Sequence, residues 1–147
     1  MMVMGLKLKQ NNTIKKTMEN KEFVTYEQAL ALKELGFDEP CWAWWHIEDC
    51  DTRFCYSEQR SPIINSRETE IIGLPTFSQA FRWFRDKHSL IAYPVWRIDN
   101  TWDMNIQKLD NNGLLSGQSA LAIIKKPTYE EAEQDCLDKL IEICKNK

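Results

Sequence analysis

The chain of 147 residues is 43% hydrophobic and 11% aromatic, enough apolar surface to bury a core, so a chain disordered throughout is excluded. A formal net charge of −3 excludes the global basic field that drives nonspecific nucleic-acid binding. No run of about eighteen apolar residues is present to cross a membrane, and the five cysteines, an odd count, fit a reducing compartment better than a disulfide framework.

Residues 1–17 carry Lys7, Lys9, Lys15 and Lys16, no acid and no aromatic, and read as a disordered basic tail. Met18 follows directly, so the working protein is expected to begin there, with 18–147 forming a single α+β domain. The first helix is expected near 25–35. Thr25 precedes a helical pattern and Gln28 stands three residues on, the spacing of a capping box, while Gly36 after Leu35 serves as the C-terminal cap, with Phe37 placed to pack back.

Strand-like segments follow at 41–47 (CWAWWHI) and 52–56 (TRFCY), turning at 49–51. Alternation sends Trp42, Trp44 and His46 to one face and Cys41, Ala43, Trp45 and Ile47 to the other. Exposed indoles call for a cover, a partner or a ligand. Cys41, His46, Cys50 and Cys55 are residue types that zinc accepts. Their spacing matches no usual finger, however, and Cys41 and His46 fall on opposite faces, so no metal ligand set is assigned. The segment 57–74 is taken as a loop able to fold over the strands, with Glu68 and Glu70 in solvent.

The second helix, near 76–88, begins at Thr76 and Gln79. Its apolar stripe is Phe77, Ala80, Phe81 and Phe84, and Arg82, Arg85 and His88 form a basic strip to one side that could take a phosphate or nucleotide. Strands are expected at 91–98 and 102–109, the latter alternating Trp102, Met104 and Ile106 with Asp103, Asn105 and Gln107, the mark of a sheet with one wet face. Trp96 lies on the first of this pair, able to join Trp42 and Trp44 or to take the opposite face, depending on how the two hairpins pair. After the turn at 110–113 comes a strand around 119–124, and a third helix near 128–145 opens at Thr128 and Glu131, with Tyr129, Ala132, Cys136 and Leu140 on one face.

Thr25, Thr76 and Thr128 thus mark three similar helix starts at near-equal intervals, with helix followed by hairpin repeated and a helix closing the chain. The expected architecture is an antiparallel sheet of four to five strands with three helices, in the order α-ββ-α-βββ-α.

The segments FVTYEQALALKELGFDEPC, LPTFSQAFRWFRDKHSL and PTYEEAEQDCLDKLIEICKNK, in this order with short strands between, resemble a family of small uncharacterised proteins of phages and prophages of gut Bacteroidetes, over roughly residues 18–147. The resemblance implies a mobile-element origin and a cytoplasmic life in a bacterial host, and it transfers no activity. The sequence contains no nucleophile elbow, glycine-rich phosphate loop or HExxH, and names no cofactor. The expected function is a non-enzymatic binding module that engages a host protein or a small ligand through Trp42, Trp44, His46 and Trp96, with Arg82, Arg85 and His88 as a second surface and a homodimer as a further way to cover the indoles. The alternative is a small hydrolase or nucleotide-handling enzyme using His46 or His88 beside a cysteine or carboxylate.

Overall fold

The computed structural model describes residues 22–48, 51–56, 71–113 and 121–146. The expected tail at 1–17, the start at Met18, Cys50, Glu68 and Glu70 lie outside them. Contacts separate the chain into two compact units, one up to Thr76 and one from Phe77.

In the first unit, α1 (Tyr26–Glu34) starts because Thr25 holds an extended backbone. Its hydroxyl accepts from the Gln28 N–H at 3.2 Å while Gln28 Oε1 accepts from the Thr25 N–H at 3.0 Å, so both arms of the capping box are made. The helix ends in a Schellman motif: Gly36 lies at φ +95°, its N–H donates to the Lys33 carbonyl, and the Phe37 N–H donates to the Leu32 carbonyl. Phe37 and Leu32 are both buried, the apolar contact that usually accompanies this cap. Strands β1 (Ala43–Glu48), β2 (Asp51–Tyr56) and β3 (Ile71–Leu74) form an antiparallel sheet in the order β2-β1-β3. Cys41, Ala43 and Trp45 point inward and are fully buried, and Tyr26 meets the Trp45 indole edge-on at 5.5 Å. Lys33 ties α1 to β3 by donating to the Ile71 carbonyl at 3.1 Å.

In the second unit, α2 (Phe77–His88) turns into β4 (Leu90–Trp96) through Ser89 alone. So short a link needs a left-handed residue, and Ser89 sits at φ +54°, its N–H donating to the Arg85 carbonyl and its own carbonyl accepting from the Leu109 N–H at 2.7 Å. β4 pairs with β5 (Trp102–Lys108), and β5 with β6 (Ala122–Lys126), in the order β4-β5-β6. Pro94 sits within β4, where an edge strand tolerates a residue with no N–H. α3 (Tyr129–Lys145) and α2 pack on this sheet and on each other. Thr128 caps α3, its hydroxyl accepting from the Glu131 N–H at 3.3 Å and donating to the Glu131 carboxylate at 3.0 Å. The core comprises Phe77, Ala80, Trp83 and Phe84 from α2, Leu90, Met104 and Ile106 from the sheet, and Ala132, Cys136, Leu137, Leu140 and Ile141 from α3.

The α+β class, the three helices, their order and the antiparallel pairing are as the sequence predicts. The strands number six among the described residues and lie in two three-stranded sheets rather than one sheet of four or five. The added strand is β3, at the end of the segment taken as a loop, and β6 runs 122–126 where 119–124 was expected. Each unit does begin helix-then-hairpin. The third strand joins the first hairpin strand in one unit and the second in the other, so the two sheets are not topological copies. The expected wet face of β5 is also corrected: Asp103 is only 2% exposed, and Asn105 and Gln107 are half-buried. No helix among the described residues is long and apolar enough to cross a membrane.

Candidate functional site

The alternation expected at 42–46 is present. Trp42 is 44% exposed, Trp44 and His46 are half-exposed on the same face, and Trp45 beneath them is fully buried. In register, Trp44 lies between Cys55 of β2 and Gly73 of β3, and Gly73 brings no side chain to cover the indole. Trp96 does not join this face through a shared sheet, because the hairpins belong to separate sheets. It is 53% exposed and tilts against its cross-strand partner Trp102 at 4.8 Å, and Trp102 in turn meets Tyr129 edge-on at 5.2 Å. The four residues expected to act together, Trp42, Trp44, His46 and Trp96, are thus divided between two sheets.

The basic strip is also redrawn. Arg82 and Arg85 project from α2 and are exposed, but His88 turns back onto the aromatic core, its ring 4.8 Å from Trp83 and 5.7 Å from Phe84. The buried stripe of α2 includes Trp83, while Phe81 is only half-buried. The reason is a second stripe: Ser78, Phe81, Arg82 and Arg85 recur at i, i+3, i+4 and i+7 and form one wall of a cavity of about 260 Å³. β4 supplies the facing wall through Ile91, Ala92 and Pro94, Met104 reaches it from β5, and Tyr129 bounds it from the start of α3. All these residues belong to the second unit.

Among the described residues no carboxylate lines this cavity. Arg85 Nε bonds the neighbouring Asp86 at 3.1 Å, both side chains being well exposed, a pairing that solvent makes weak and easily exchanged. Burial pushes the Tyr129 hydroxyl up to about 12, helped by the charge of Glu133 and the hydrogen bond to it, so the phenol stays neutral and protonated. Glu133 is itself raised, chiefly by burial, against the opposing effect of that hydrogen bond. The lining therefore combines aliphatic and aromatic side chains with two guanidinium groups and the Ser78 hydroxyl.

The cysteines offer less. Burial, assisted by the charge of Glu39, pushes the Cys41 thiol up to about 12, and burial with Glu133 does the same for Cys136. A thiol held that high is not a nucleophile near neutral pH. Among the described residues no group of three or more His, Cys, Asp or Glu could hold a metal ion.

Comparison with family models, curated proteins and solved structures finds no match for the chain.

Sequence reasoning had singled out Arg82 and Arg85, but it missed the wall they share with Ser78 and Phe81. The signal was present in the spacing. It was hidden because Phe81 satisfies both stripes of the helix and was assigned to the core.

Proposed function

We propose that the chain is a non-enzymatic binding module whose principal site is the cavity of the second unit, between α2 and β4. The observation that carries this reading is the convergence of Arg82 and Arg85 with the aromatic side chains of Phe81 and Tyr129 and the apolar Ile91, Ala92, Pro94 and Met104 on one cavity. Few polar groups set in an apolar concavity are what fixes a small ligand and its orientation. Ser78 is exposed at the wall of the cavity, so Ser78→Trp fills the space without disturbing the core. A panel of small molecules screened by amide correlation spectra should produce hits that move the resonances of Phe81, Ala92 and Tyr129, and Ser78→Trp should abolish those shifts with an unchanged melt. Hits that leave these residues unmoved, or that survive Ser78→Trp, put the site elsewhere.

A second reading places a protein partner on the Trp42/Trp44 face of the first unit. It is favoured by the exposure of Trp42 and by the open side of Trp44 left at Gly73, since indoles supply contact area at protein interfaces. Trp42→Ser with Trp44→Ser should remove partner binding or self-association while a cooperative melt persists, because neither side chain belongs to the buried set. Unfolding of the double variant would assign both indoles to the core.

The likeness of the three cap-bearing segments to phage and prophage proteins supports a mobile-element origin, with action in a bacterial host's cytoplasm as part of the same proposal. The enzymatic alternative is weakened by the buried thiols of Cys41 and Cys136 and by the edge-on packing of His88 against Trp83.

A further inference from the structure

Among the described strands β6 pairs with β5 alone, so alternate N–H and C=O groups along Ala122–Lys126 point away from the ladder. The register sets Ile124 beside the buried Met104 on the helix side and Ile123 beside Asn105 on the other. Ile123 is 59% exposed, and Leu121, two residues earlier, is 52% exposed. Lysines on an edge strand deter pairing, but here Lys125 is tied to Asp99 at 2.8 Å and Lys126 to Asp135 at 2.7 Å. On the helix side the edge is acidic. The hydrogen bond and charge of Asp135, with a smaller contribution from the charge of Glu131, hold the Lys126 ammonium above its ordinary value, so this flank of α3 lies over β6. α3 carries six acids against Lys139 and Lys145, and with Lys126 counted on Asp135 and Lys139 on Glu142 the negative charge is still in excess by three.

A strand that completes this edge has to present apolar side chains on one face and basic ones on the other. Residues 4–9 of the chain have that pattern: Met4, Leu6 and Leu8 alternate with Gly5, Lys7 and Lys9. Outside the described residues no other stretch alternates apolar with basic side chains in this way, and residues 1–17 carry four lysines and no acid. The segment can reach. Phe23 bridges Thr76, the residue before α2, and thirteen residues separate Lys9 from Phe23, an extended span of about 40 Å, against about 28 Å for the width of a unit of about 70 residues. We propose that residues 4–9 add to the open edge of β6 as a fourth strand, with Leu6 and Leu8 beside Leu121 and Ile123, and Lys7 and Lys9 toward Glu131 and Asp135. The basic segment that reads as a tail in the sequence is then a tethered cover for an apolar edge. Tethering gives it an effective concentration on the order of millimolar, so a weak contact is enough to keep it in place. The proposal does not depend on the reading of the cavity.

The test is amide hydrogen exchange of Ala122–Lys126 in the full chain, with the buried Leu137 and Leu140 of α3 as internal controls. Strand-type carbon shifts at residues 5–9 and Overhauser contacts from the Leu6 or Leu8 methyls to Ile123 are expected. Leu6→Asn with Leu8→Asn, and separately Lys7→Glu with Lys9→Glu, should each speed exchange of the outward amides of β6 about tenfold or more, while Leu137 and Leu140 keep their rates. Lys7→Arg with Lys9→Arg should change nothing. Random-coil shifts at residues 5–9, or β6 amides whose exchange neither double variant alters, would overturn the proposal. Equal speeding at Leu137 and Leu140 would overturn it too, because the change would then report lost global stability and not the release of one strand. Protection of β6 that rises with protein concentration would overturn the contact within one chain and give the segment to a second copy.

Discussion

Asp103 and Arg97 form an ion pair of unequal partners, and the inequality predicts which substitution hurts. The Asp103 side chain is 3% exposed and that of Arg97 54%, with Arg97 Nε bonded to Asp103 Oδ2. Asp103 Oδ1 is buried without a hydrogen-bond partner among the described residues. Removing Arg97 leaves a buried carboxylate uncompensated, and Arg97→Ala should cost about 3 kcal/mol or more. Removing the acid frees a guanidinium that already faces water, and it also removes an unsatisfied oxygen. Asp103→Val, which places a β-branched residue on a strand, should therefore cost less than about 1 kcal/mol or stabilise. Once the acid is gone Arg97 has little left to do, so adding Arg97→Ala to Asp103→Val should change stability by less than about 0.5 kcal/mol. Urea unfolding of the four proteins at neutral pH gives each value from its midpoint and slope. A single Arg97→Ala that costs no more than Asp103→Val would refute the reasoning, because it would mean that the carboxylate is hydrated or held by other donors.

The capping threonines give a second test. Thr25→Ala should lose about 1 kcal/mol by removing the hydroxyl that accepts from the Gln28 N–H, while the backbone N–H that donates to Gln28 Oε1 remains, and Thr128→Ala a similar amount, each read by urea unfolding with the cavity's ligand shifts unchanged. At the β4–β5 turn the Asp99 carboxyl is lowered to about 2, first by its hydrogen bond to Lys125 and then by that to Thr101. Its folded value lies below the unfolded one, so its contribution is complete above the ordinary carboxylate range and fades as pH falls toward 2; Lys125→Ala should move the carbon-detected titration midpoint back toward the ordinary value. Cys41 and Cys136, buried and held as thiols, should resist iodoacetamide at pH 8 in the folded protein while half-exposed Cys55 is alkylated, as peptide mapping would report. Ser89 occupies left-handed backbone in the one-residue link between α2 and β4, and Ser89→Val, a β-branched residue at that φ, should cost about 1–2 kcal/mol in the same unfolding assay.

What the sequence made legible is what is local. The caps at Thr25 and Thr128, the Gly36 stop and the inward turn of Trp45 between Trp44 and His46 all depend on spacings of a few residues, and the structure has them. β3 escaped notice because Ile72, Gly73 and Leu74 are buried in succession, which leaves no period of two to read. The strand order within each sheet depends on which edge of a hairpin the third strand joins, and the division into two sheets on which hairpins pair, long-range choices on which alternation is silent. Asp103 looked like a solvated residue because its neighbours in sequence alternate; its burial is decided in three dimensions. The cavity is a compromise of the same sort, since Phe81 lies on two helical stripes at once and only the packing of α2 on β4 shows which one it serves.

Pro94 has a bearing on how copies of this protein can meet. β4 is an edge of its sheet among the described strands, and it carries Ile91, Val95 and Trp96, the composition of a segment prone to recruit another chain by strand addition. A proline in its middle offers no donor there, so an incoming strand meets a gap in the hydrogen-bond ladder. Fibril-like growth along this edge is thereby disfavoured, and a homodimer, if one forms, has reason to bring side-chain surfaces together instead of continuing the sheet.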